Sequence, residues 1–366
     1  MNILYDYQAF SREKYGGIPK YFSELMKHLP HSCSFELSVL FSHNQYLKED
    51  SGFFRKITFP WPEKEFSGKS YLKKRIDYLN HQYSLKRVAE NDFDILHPTF
   101  YDDYFLPYLK KPYVITVHDM IIFKFDGTED DYTERRKKEA NLIKGASRVI
   151  TISENTKKDV IDILNIDPNK IDVIHHGFNP PSQAEKLEKF GNYILYVGRR
   201  VGYKNFSTMV KGIGPLMRQM KDLRLVCVGG PLEEYEINDL NRENILDRTT
   251  ALRADEKLLS DLYANARVFV FPSKYEGFGM PILEAYANDC PVCLSNASCF
   301  PEVAGTAASY FDPLDPDSIE ASVKRVLTED AYRTELVELG RLRLTNYSWT
   351  KTASQTAAVY QKVLQS

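Results

Sequence analysis

Short runs of β-branched and aromatic residues alternate along the chain with longer segments in which apolar residues recur every three or four positions. The first pattern is typical of buried parallel strands and the second of amphipathic helices, so an α/β fold with parallel sheets and crossover helices is predicted. The predicted strands lie at about 2–6, 36–41, 56–59, 94–97, 113–117, 148–152 and 171–174, and then at about 193–197, 223–228, 246–250, 267–271 and 291–294. Helices are predicted near 205–219, 255–265, 280–288, 316–328 and 331–344.

A polar, turn-forming stretch that starts at Phe178 and contains two consecutive prolines separates the two series of strands and is a predicted linker. Near the end of the chain Ser348 can cap a last amphipathic helix from Trp349 to Leu364. The predicted organisation is therefore an N-terminal domain at 1–180, a C-terminal domain at 181–346 and a closing helix at 347–366. The length of 366 residues agrees with two domains, since about 150 residues per domain is typical.

Charge and composition exclude several classes of protein. The chain has 48 Lys and Arg against 50 Asp and Glu, so no global field attracts nucleic acid and any anion site must be local. No run of 18 apolar residues predicts a membrane-spanning helix, and Asp6 interrupts the first apolar run, which favours a strand over a signal peptide. Five cysteines, an odd number, favour reduced thiols in a cytoplasm. Cys290 and Cys293 form a C-x-x-C pair, but without a second pair at zinc spacing a buried strand is favoured over a metal or redox site.

The segment from Val268 to Ala285 carries the clearest chemical signal. It predicts a strand, a glycine-bearing loop and a helix with a proline in its first turn. A helix N-terminus with small residues before it exposes backbone N–H groups and the positive end of the helix dipole, which suits a phosphate. Glu276 and Glu284, eight residues apart, could accept hydrogen bonds from the hydroxyl groups of two different sugar rings.

Two other interpretations of this segment stay open. Gly277 and Gly279 resemble the start of a dinucleotide-binding fingerprint, although Ile282 occupies the last small position and no acidic residue ends a second strand about 20 residues later. The segment could also be a plain glycine turn with two surface glutamates.

Several segments together resemble the retaining nucleotide-sugar glycosyltransferases of family 4, also called group 1, most of all the bacterial polysaccharide mannosyltransferases. The pair Glu276 and Glu284 matches the E-x7-E signature of that family. In the C-terminal half the likeness continues through Tyr196–Asn205, Leu262–Arg267, Pro301–Gly305 and Phe311–Ile319. In the N-terminal half it is sparser, at Tyr15–Ile18, Asp94–Pro98, Thr116–Asp119 and Ile150–Glu154.

The resemblance implies a GT-B fold, in which two doubly wound, Rossmann-like domains face each other across a cleft and the last helix returns to the first domain. It implies that Arg199 and Lys204 contact the donor diphosphate without a metal or another cofactor, and that Glu276 contacts the donor sugar. Two basic residues in a loop would otherwise suggest a solvated surface. The catalytic set implied is His118, Glu276, Arg199 and Lys204, and the donor-binding set is Gly16, Gly17, Gly198, Gly277, Phe278, Gly279, Met280, Pro281 and Glu284.

Several other residues of the N-terminal half and the start of the next segment admit more than one role. Gly16 and Gly17 form either a plain turn between a strand and a helix or, by the resemblance, a loop against the donor phosphates. His118 ends a predicted strand, where ligands bind in open parallel sheets, and the family places it against the donor sugar. Asp119 could orient His118 or bind the acceptor. The pair at 175–176, two histidines, is interpreted as structure between the domains, and Arg200 as structural or exposed.

The segment 54–90 contains nine basic and four acidic residues interleaved with aromatic residues. Such a composition fits either a membrane interface or a polyanionic acceptor, and a solvated helix face is the alternative. Nucleic acid is disfavoured because the chain as a whole is not basic.

The resemblance implies a metal-independent, retaining hexosyltransferase of polysaccharide or lipopolysaccharide biosynthesis. The cysteine count and the basic segment favour a cytoplasmic protein that is peripheral at the inner face of the membrane. GDP-mannose is the first donor to test, and the acceptor is a glycan or lipid-linked glycan. Two alternatives remain: a nucleotide-sugar epimerase or hydrolase on the same fold, and a non-catalytic nucleotide or glycan binder.

Overall fold

A computed structural model describes residues 1–49, 68–125, 130–180, 184–185 and 190–365. The chain divides into two units: the first comprises Met1–Gly177 and Trp349–Ser366, and the second Phe178–Ser348. The strands are β1 (Asn2–Asp6), β2 (Ser34–Ser38), β3 (Ile95–His97), β4 (Val114–Val117), β5 (Arg148–Thr151), β6 (Ile171–Val173), β7 (Tyr193–Val197), β8 (Arg224–Val228), β9 (Thr249–Leu252), β10 (Val268–Phe271), β11 (Val292–Ser295) and β12 (Ser309–Phe311). The helices are α1 (Gln8–Arg12), α2 (Gly17–His28), α3 (Gln45–Glu49), α4 (Lys69–Glu90), α5 (Ile121–Lys124), α6 (Asp130–Gly145), α7 (Glu154–Leu164), α8 (Phe206–Gln219), α9 (Glu234–Arg242), α10 (Glu256–Asn265), α11 (Met280–Ala287), α12 (Phe300–Ala304), α13 (Pro316–Thr328), α14 (Asp330–Leu344) and α15 (Trp349–Gln365).

The sheet strands of the first unit are all parallel. They run in the orders β2-β1-β3 and β4-β5-β6, and a parallel bridge between Leu96 and Tyr113 links β3 to the residue before β4. Buried apolar side chains from both sheets and from the surrounding helices form the core on their two faces. The carboxyl ends of these strands carry the loops that hold Gly16, Gly17 and His118.

The closing helix α15 belongs to the first unit. Its buried face joins the same apolar cluster as β1 and α2, and Tyr360 lies 2.8 Å from the Tyr5 hydroxyl and 2.6 Å from His97 Nδ1. The first residue of α15, Trp349, packs so tightly on Gly177 that a Cβ at Gly177 would meet the Trp349 backbone. The end of the first stretch of this unit, at Gly177, and the start of its second stretch, at Trp349, therefore lie against each other.

The second unit has a six-stranded parallel sheet in the order β12-β11-β10-β7-β8-β9. Strands β8 and β9 lie on one side of β7, and the later strands β10, β11 and β12 lie on its other side. In such a doubly wound sheet the crevice at the carboxyl ends of the two central strands, here β7 and β10, is where ligands bind. Helices α8 and α13 cover one face of this sheet. They approach closely at Gly212, where the Cβ of any other residue would lie 2.8 Å from the Cβ of Ile319.

Some predicted strands are displaced in the structure, each for a local reason. The strand predicted at 36–41 is β2, which pairs with β1 from Ser34 to Ser38 and then ends where the Asn80 carboxamide binds the N–H groups of residues 40 and 41. The strand predicted at 246–250 starts three residues later, because residues 246–248 form a 3-10 turn. The strand β12 was not predicted, and the strand predicted at 56–59 lies outside the described residues.

No helix within the described ranges has both the length and the apolar composition that crossing a bilayer requires.

Candidate functional site

The loops that follow β7 and β10 lie side by side at the carboxyl edge of the second sheet. Gly198 begins the first loop at φ +131°, a conformation that favours glycine, and the Tyr196 hydroxyl donates a hydrogen bond of 2.8 Å to the Arg199 carbonyl. The two loops are joined by a hydrogen bond of 2.8 Å from the Lys274 N–H to the Tyr203 carbonyl. The sequence segments predicted to bind a diphosphate and a sugar are therefore neighbours in the fold.

Lys204 and Glu276 form an ion pair across these two loops. Lys204 Nζ lies 2.6 Å from Glu276 Oε1, and the two side chains are only 18% and 12% exposed. The same ammonium group lies 5.3 Å from the centre of the Tyr203 ring. The sequence had assigned Lys204 to a diphosphate and Glu276 to a sugar, and it did not predict that they pair with each other.

Ser298, after β11, holds the backbone of Glu276 and was missed by sequence reasoning. Its hydroxyl donates to the Glu276 carbonyl at 2.8 Å and accepts from the Glu276 N–H at 3.2 Å. Ser298 itself has φ +55°. The only signal in the sequence was a run of small and polar residues directly after a predicted strand. This contact fixes the loop from which the Glu276 side chain projects.

The N-terminus of α11 lies in the same loop. Gly279 adopts φ +96°, and a Cβ there would lie 3.0 Å from Ile282 Cδ1, so a larger residue would be strained. Gly277, Phe278 and Gly279 are buried, whereas Met280 and Pro281 are half-buried. The Phe278 ring packs against that of Tyr347, with the ring centres 5.7 Å apart. The positive end of the helix dipole suits an anion, although Pro281 has no N–H and the Ile282 N–H donates to the Gly279 carbonyl at 2.9 Å.

Glu284, in the second turn of α11, is held by Tyr263 of α10. The buried Tyr263 hydroxyl donates to Glu284 Oε2 at 3.2 Å, and burial, with the nearby Glu284 charge, raises the Tyr263 pKa well above 10. Asn288 donates to the Glu284 carbonyl at 2.8 Å. Tyr263 was part of the sequence resemblance, but no role was predicted for it.

The two arginines after Gly198 differ completely in exposure. Arg199 is exposed, whereas Arg200 is 6% exposed and donates to the carbonyl groups of Gly230 and Pro231 at 2.9 and 2.6 Å. Arg200 Nε also lies 2.8 Å from the Glu236 carboxylate. The sequence left two roles open for Arg200, structural or exposed. Its role is structural, because its hydrogen bonds connect the loops after β7 and β8.

In the first unit, Gly16 and Gly17 precede and begin α2. Gly16 is half-buried, Gly17 is exposed, and a side chain at Gly17 would meet no atom within 4 Å. Hydrogen bonds of 3.0 Å from the Gln45 N–H to the Lys14 carbonyl, and of 2.9 Å from the Asn44 carboxamide to the Glu13 carbonyl, frame this turn. The turn is therefore held at the start of α3, and Gly17 is its exposed glycine.

His118 directly follows β4 and is 8% exposed. Burial lowers its pKa to about 3, so the imidazole is neutral near pH 7. Its backbone N–H donates to the Tyr101 hydroxyl at 3.0 Å, and its Nε2 atom is buried without a hydrogen-bond partner among the described residues. The neighbouring Asp119 is half-buried and accepts a hydrogen bond of 2.9 Å from the Ile121 N–H, at the start of α5.

The histidine pair at 175–176, interpreted from the sequence as structure between the domains, lies in the first unit. His176 is 7% exposed, and its ring centre lies 6.0 Å from that of Trp349. The carbonyl of His175 accepts a hydrogen bond of 2.8 Å from Thr352. Both histidines therefore help to hold α15 on this unit.

Helix α4 presents the described part of the basic and aromatic segment. Lys73, Lys74, Arg75, Tyr71 and Tyr78 are exposed, whereas Asn80, Ser84 and Val88 on the other face are buried. The rest of that segment, residues 54–67, lies outside the described residues.

All five cysteines are free and buried. Within the described residues, no group of three or more His, Cys, Asp or Glu side chains is arranged to hold a metal ion.

Known structures share this fold. A solved structure of HepE from Anabaena, in complex with UDP and glucose, superposes on this chain with a TM-score of 0.74. The two sequences are 14% identical, and the match covers 99% of this chain and 100% of that one. This is the GT-B glycosyltransferase fold. Residues 15–181 match Glycosyltransferase Family 4 and residues 180–343 match Glycosyl transferases group 1. The chain belongs to this family of glycosyltransferases.

Two curated relatives are O-antigen chain mannosyltransferases. The O-antigen chain mannosyltransferase B of Escherichia coli is 29% identical over 71% of this chain and 72% of its own length. The O-antigen chain mannosyltransferase RfbU of Salmonella typhimurium is 30% identical over 60% of this chain and 62% of its own length.

Proposed function

We propose that this glycosyltransferase moves a hexose from a nucleoside diphosphate sugar to a hydroxyl group of a glycan or lipid-linked glycan, with retention of the anomeric configuration. One observation carries the proposal: Lys204, Glu276 and the N-terminus of α11 meet at the neighbouring carboxyl ends of β7 and β10. A cation and helix-end N–H groups suit a diphosphate, and a carboxylate suits sugar hydroxyl groups.

The diphosphate gains negative charge as the bond to the sugar breaks. In the proposed mechanism Lys204 exchanges Glu276 for this group, and the exposed Arg199 binds it together with the positive end of the α11 dipole. Donors that strengthen as charge develops lower the barrier more than they tighten ground-state binding. These groups do the work of a metal ion, so no metal or cofactor is proposed.

The two carboxylates have separate roles in the proposal. Glu284, oriented by the buried Tyr263 hydroxyl, accepts hydrogen bonds from the ribose hydroxyl groups. Glu276, released from Lys204, accepts hydrogen bonds from the donor sugar. The remaining predicted donor contacts are the backbone at Gly198 and along Gly277–Pro281, the turn at Gly16 and Gly17, and His118.

The reaction exchanges two bonds at the anomeric carbon. The bond to the leaving phosphate oxygen breaks, a bond to the acceptor oxygen forms on the same face, and the departing phosphate oxygen takes the acceptor proton. This front-face route follows from the family resemblance and assigns no protein side chain as general base.

Mannose is the first sugar to test because both O-antigen relatives are named mannosyltransferases, and GDP-mannose is its usual activated form. UDP sugars stay in the comparison, since the HepE structure holds UDP and glucose. A lipid-linked acceptor would bring the enzyme to the inner face of the cytoplasmic membrane, and the exposed basic and aromatic face of α4 is the proposed contact.

The experiment is a thermal-shift screen against GDP, UDP and ADP sugars, followed by transfer assays with the stabilising donor and with glycan-lipid extracts. A donor present at 100 times its dissociation constant should stabilise the protein by about 2.7 kcal/mol. We expect acceptor-dependent release of the nucleoside diphosphate, unchanged in excess EDTA.

Other outcomes separate the alternatives. Product formed from the donor without acceptor indicates an epimerase or hydrolase. Donor binding without turnover in any extract indicates a binding protein. Loss of activity with EDTA and recovery with Mg²⁺ or Mn²⁺ would overturn the metal-independent mechanism.

A further inference from the structure

An aromatic cage surrounds the imidazole of His118 within the first unit. The Tyr21 ring stands edge-on to it, with ring centres 5.0 Å apart and planes at 87°. The rings of His176 and Phe22 lie 5.8 and 6.2 Å from the same imidazole. Aromatic side chains therefore enclose His118 on several sides.

Tyr21 is held in this cage by a polar contact and by ring packing. It is 1% exposed, and its hydroxyl lies 3.4 Å from Thr116 Oγ1. Thr116 Oγ1 in turn lies 2.9 Å from Nε2 of the buried His97. The same Tyr21 ring packs 4.9 Å from the ring centre of His176. The ring therefore has both a polar anchor and close packing.

The position of the Tyr21 ring is important for the polar atoms of the His118 imidazole, which the ring does not bind. The backbone of His118 is held by the Tyr101 hydroxyl, while the Nε2 atom is buried with no partner in the described part of the chain. An unpaired buried nitrogen is costly unless something else binds it. A neutral imidazole whose plane is fixed from the side keeps this nitrogen ready for a ligand group.

We propose that Tyr21 is a positioning residue for His118: its ring fixes the imidazole so that Nε2 stays available to the donor sugar. The kinetic consequence rests on the proposed function. Tyr21 lies four residues after Gly17 in α2, so the same helix carries the glycine turn at one end and the support of His118 one turn later. A displacement of α2 would move both elements together.

The kinetic test compares Tyr21→Leu, Tyr21→Phe and a matched control. The control is Phe105→Leu, because Phe105 is fully buried in the other apolar cluster of the same unit and makes no ring contact with His118. A misplaced contact group costs up to about 10²-fold, so Tyr21→Leu should lower kcat by about that factor with the donor KM little changed. Tyr21→Phe keeps the ring and should stay within about fivefold.

A double variant distinguishes positioning from general destabilisation. In a His118→Ala background, Tyr21→Leu should add less than about a twofold loss, because its effect acts through the absent imidazole. Full multiplication of the two losses, or an equal loss in Phe105→Leu, would overturn the proposal.

A second measurement needs no turnover. The imidazole signals of His118, followed by ¹⁵N NMR against pH, should report a pKa near 3 in the parental protein and a clear rise in Tyr21→Leu as water enters. The titratable groups that face His118 are Tyr21, Tyr101, His97 and His176, so their variants check the assignment. An unchanged titration in Tyr21→Leu would overturn the proposal, whereas a parental protein that transfers no sugar would overturn the proposed function alone.

Discussion

Lys204 and Glu276 form an ion pair at 2.6 Å in the structure, so the proposed diphosphate would have to compete with a carboxylate for the ammonium group. The pair could not be predicted from the sequence, because the two residues are 72 positions apart on different loops and no local pattern links them. The sequence did predict the residue types: a cation, Lys204, after β7 and an acid, Glu276, after β10. The neighbouring positions of β7 and β10 bring the two side chains together.

Replacing each carboxylate separately should give two different signatures. Glu276→Gln removes the competitor of a diphosphate, so the free nucleoside diphosphate should bind at least as tightly while turnover with the sugar donor falls. Glu284→Gln removes the proposed ribose contact and should weaken binding of the free nucleotide. Isothermal titration and steady-state kinetics on both variants measure this difference. Equal weakening of free-nucleotide binding in both would show that the division of roles is wrong.

Glu139 on α6 is a buried acid that the sequence analysis did not select. It is 3% exposed, and its Oε2 atom has no partner among the described residues. Burial, together with the charge of Asp119, raises its pKa from 4.5 to about 7, against the opposing effect of Arg135. Nothing in the sequence distinguishes Glu139 from the exposed acids of the same helix, because α6 lacks a clear apolar face.

The Glu139 pKa predicts a pH-dependent stability. Below pH 4.5 the carboxyl is protonated in the folded and the unfolded chain alike, so it adds no pH dependence there. As pH rises from about 4.5 to 7 the unfolded chain ionises first, so the free energy of unfolding falls, by up to about 3 kcal/mol. Glu139→Gln should therefore stabilise the protein at pH 8 and leave it unchanged at pH 4. Urea unfolding at both pH values, with the exposed Glu134→Gln as control, checks this, and a gain equal at both would refute it.

At the scale of elements, strands with dense β-branched and aromatic residues were predicted best. The strand predicted at 193–197 is β7 with the same bounds, and the strand predicted at 267–271 is β10 from Val268. β12 was missed, whereas β3 and β6, which are equally short, were predicted as strands at 94–97 and 171–174. β12 exists through its pairing with β11, a tertiary effect that the local sequence does not encode.

Helix α4 carries the element-scale prediction about membranes. If its exposed face contacts anionic lipid, replacing Lys73, Lys74 and Arg75 with Gln should weaken binding to anionic liposomes by about 1 kcal/mol per charge. Replacing three exposed lysines elsewhere in the first unit, Lys137, Lys138 and Lys158, removes the same charge and should have a much smaller effect. Co-sedimentation with vesicles measures both variants. No binding by the parental protein, or equal loss in both variants, would leave α4 as a solvated helix.

For the molecule as a whole, the chain length, the alternation of strands and helices and the single turn-rich stretch predicted two α/β domains. The GT-B glycosyltransferase class is confirmed by the family matches and the fold. The two family matches meet at residues 180 and 181, and the two units of the structure meet after Gly177. The donor sugar and the acceptor could not be predicted in the same way. They depend on the detailed shape and polarity of loops, which vary on one fold without changing the hydrophobic pattern that defines it.

Steady-state transfer kinetics on Lys204→Ala, Arg199→Ala and the double variant test whether these two cations stabilise the leaving diphosphate, with circular dichroism to confirm folding. Loss of one preorganised donor to a developing oxyanion typically costs ~10² to 10³ in rate, so each single variant should lose about that in kcat and less in donor binding. The double variant should lose less than the product of the two, since both cations serve one diphosphate. Near-parental turnover of Lys204→Ala at saturating donor would contradict the account, because Lys204 would then be a partner of Glu276 and nothing more.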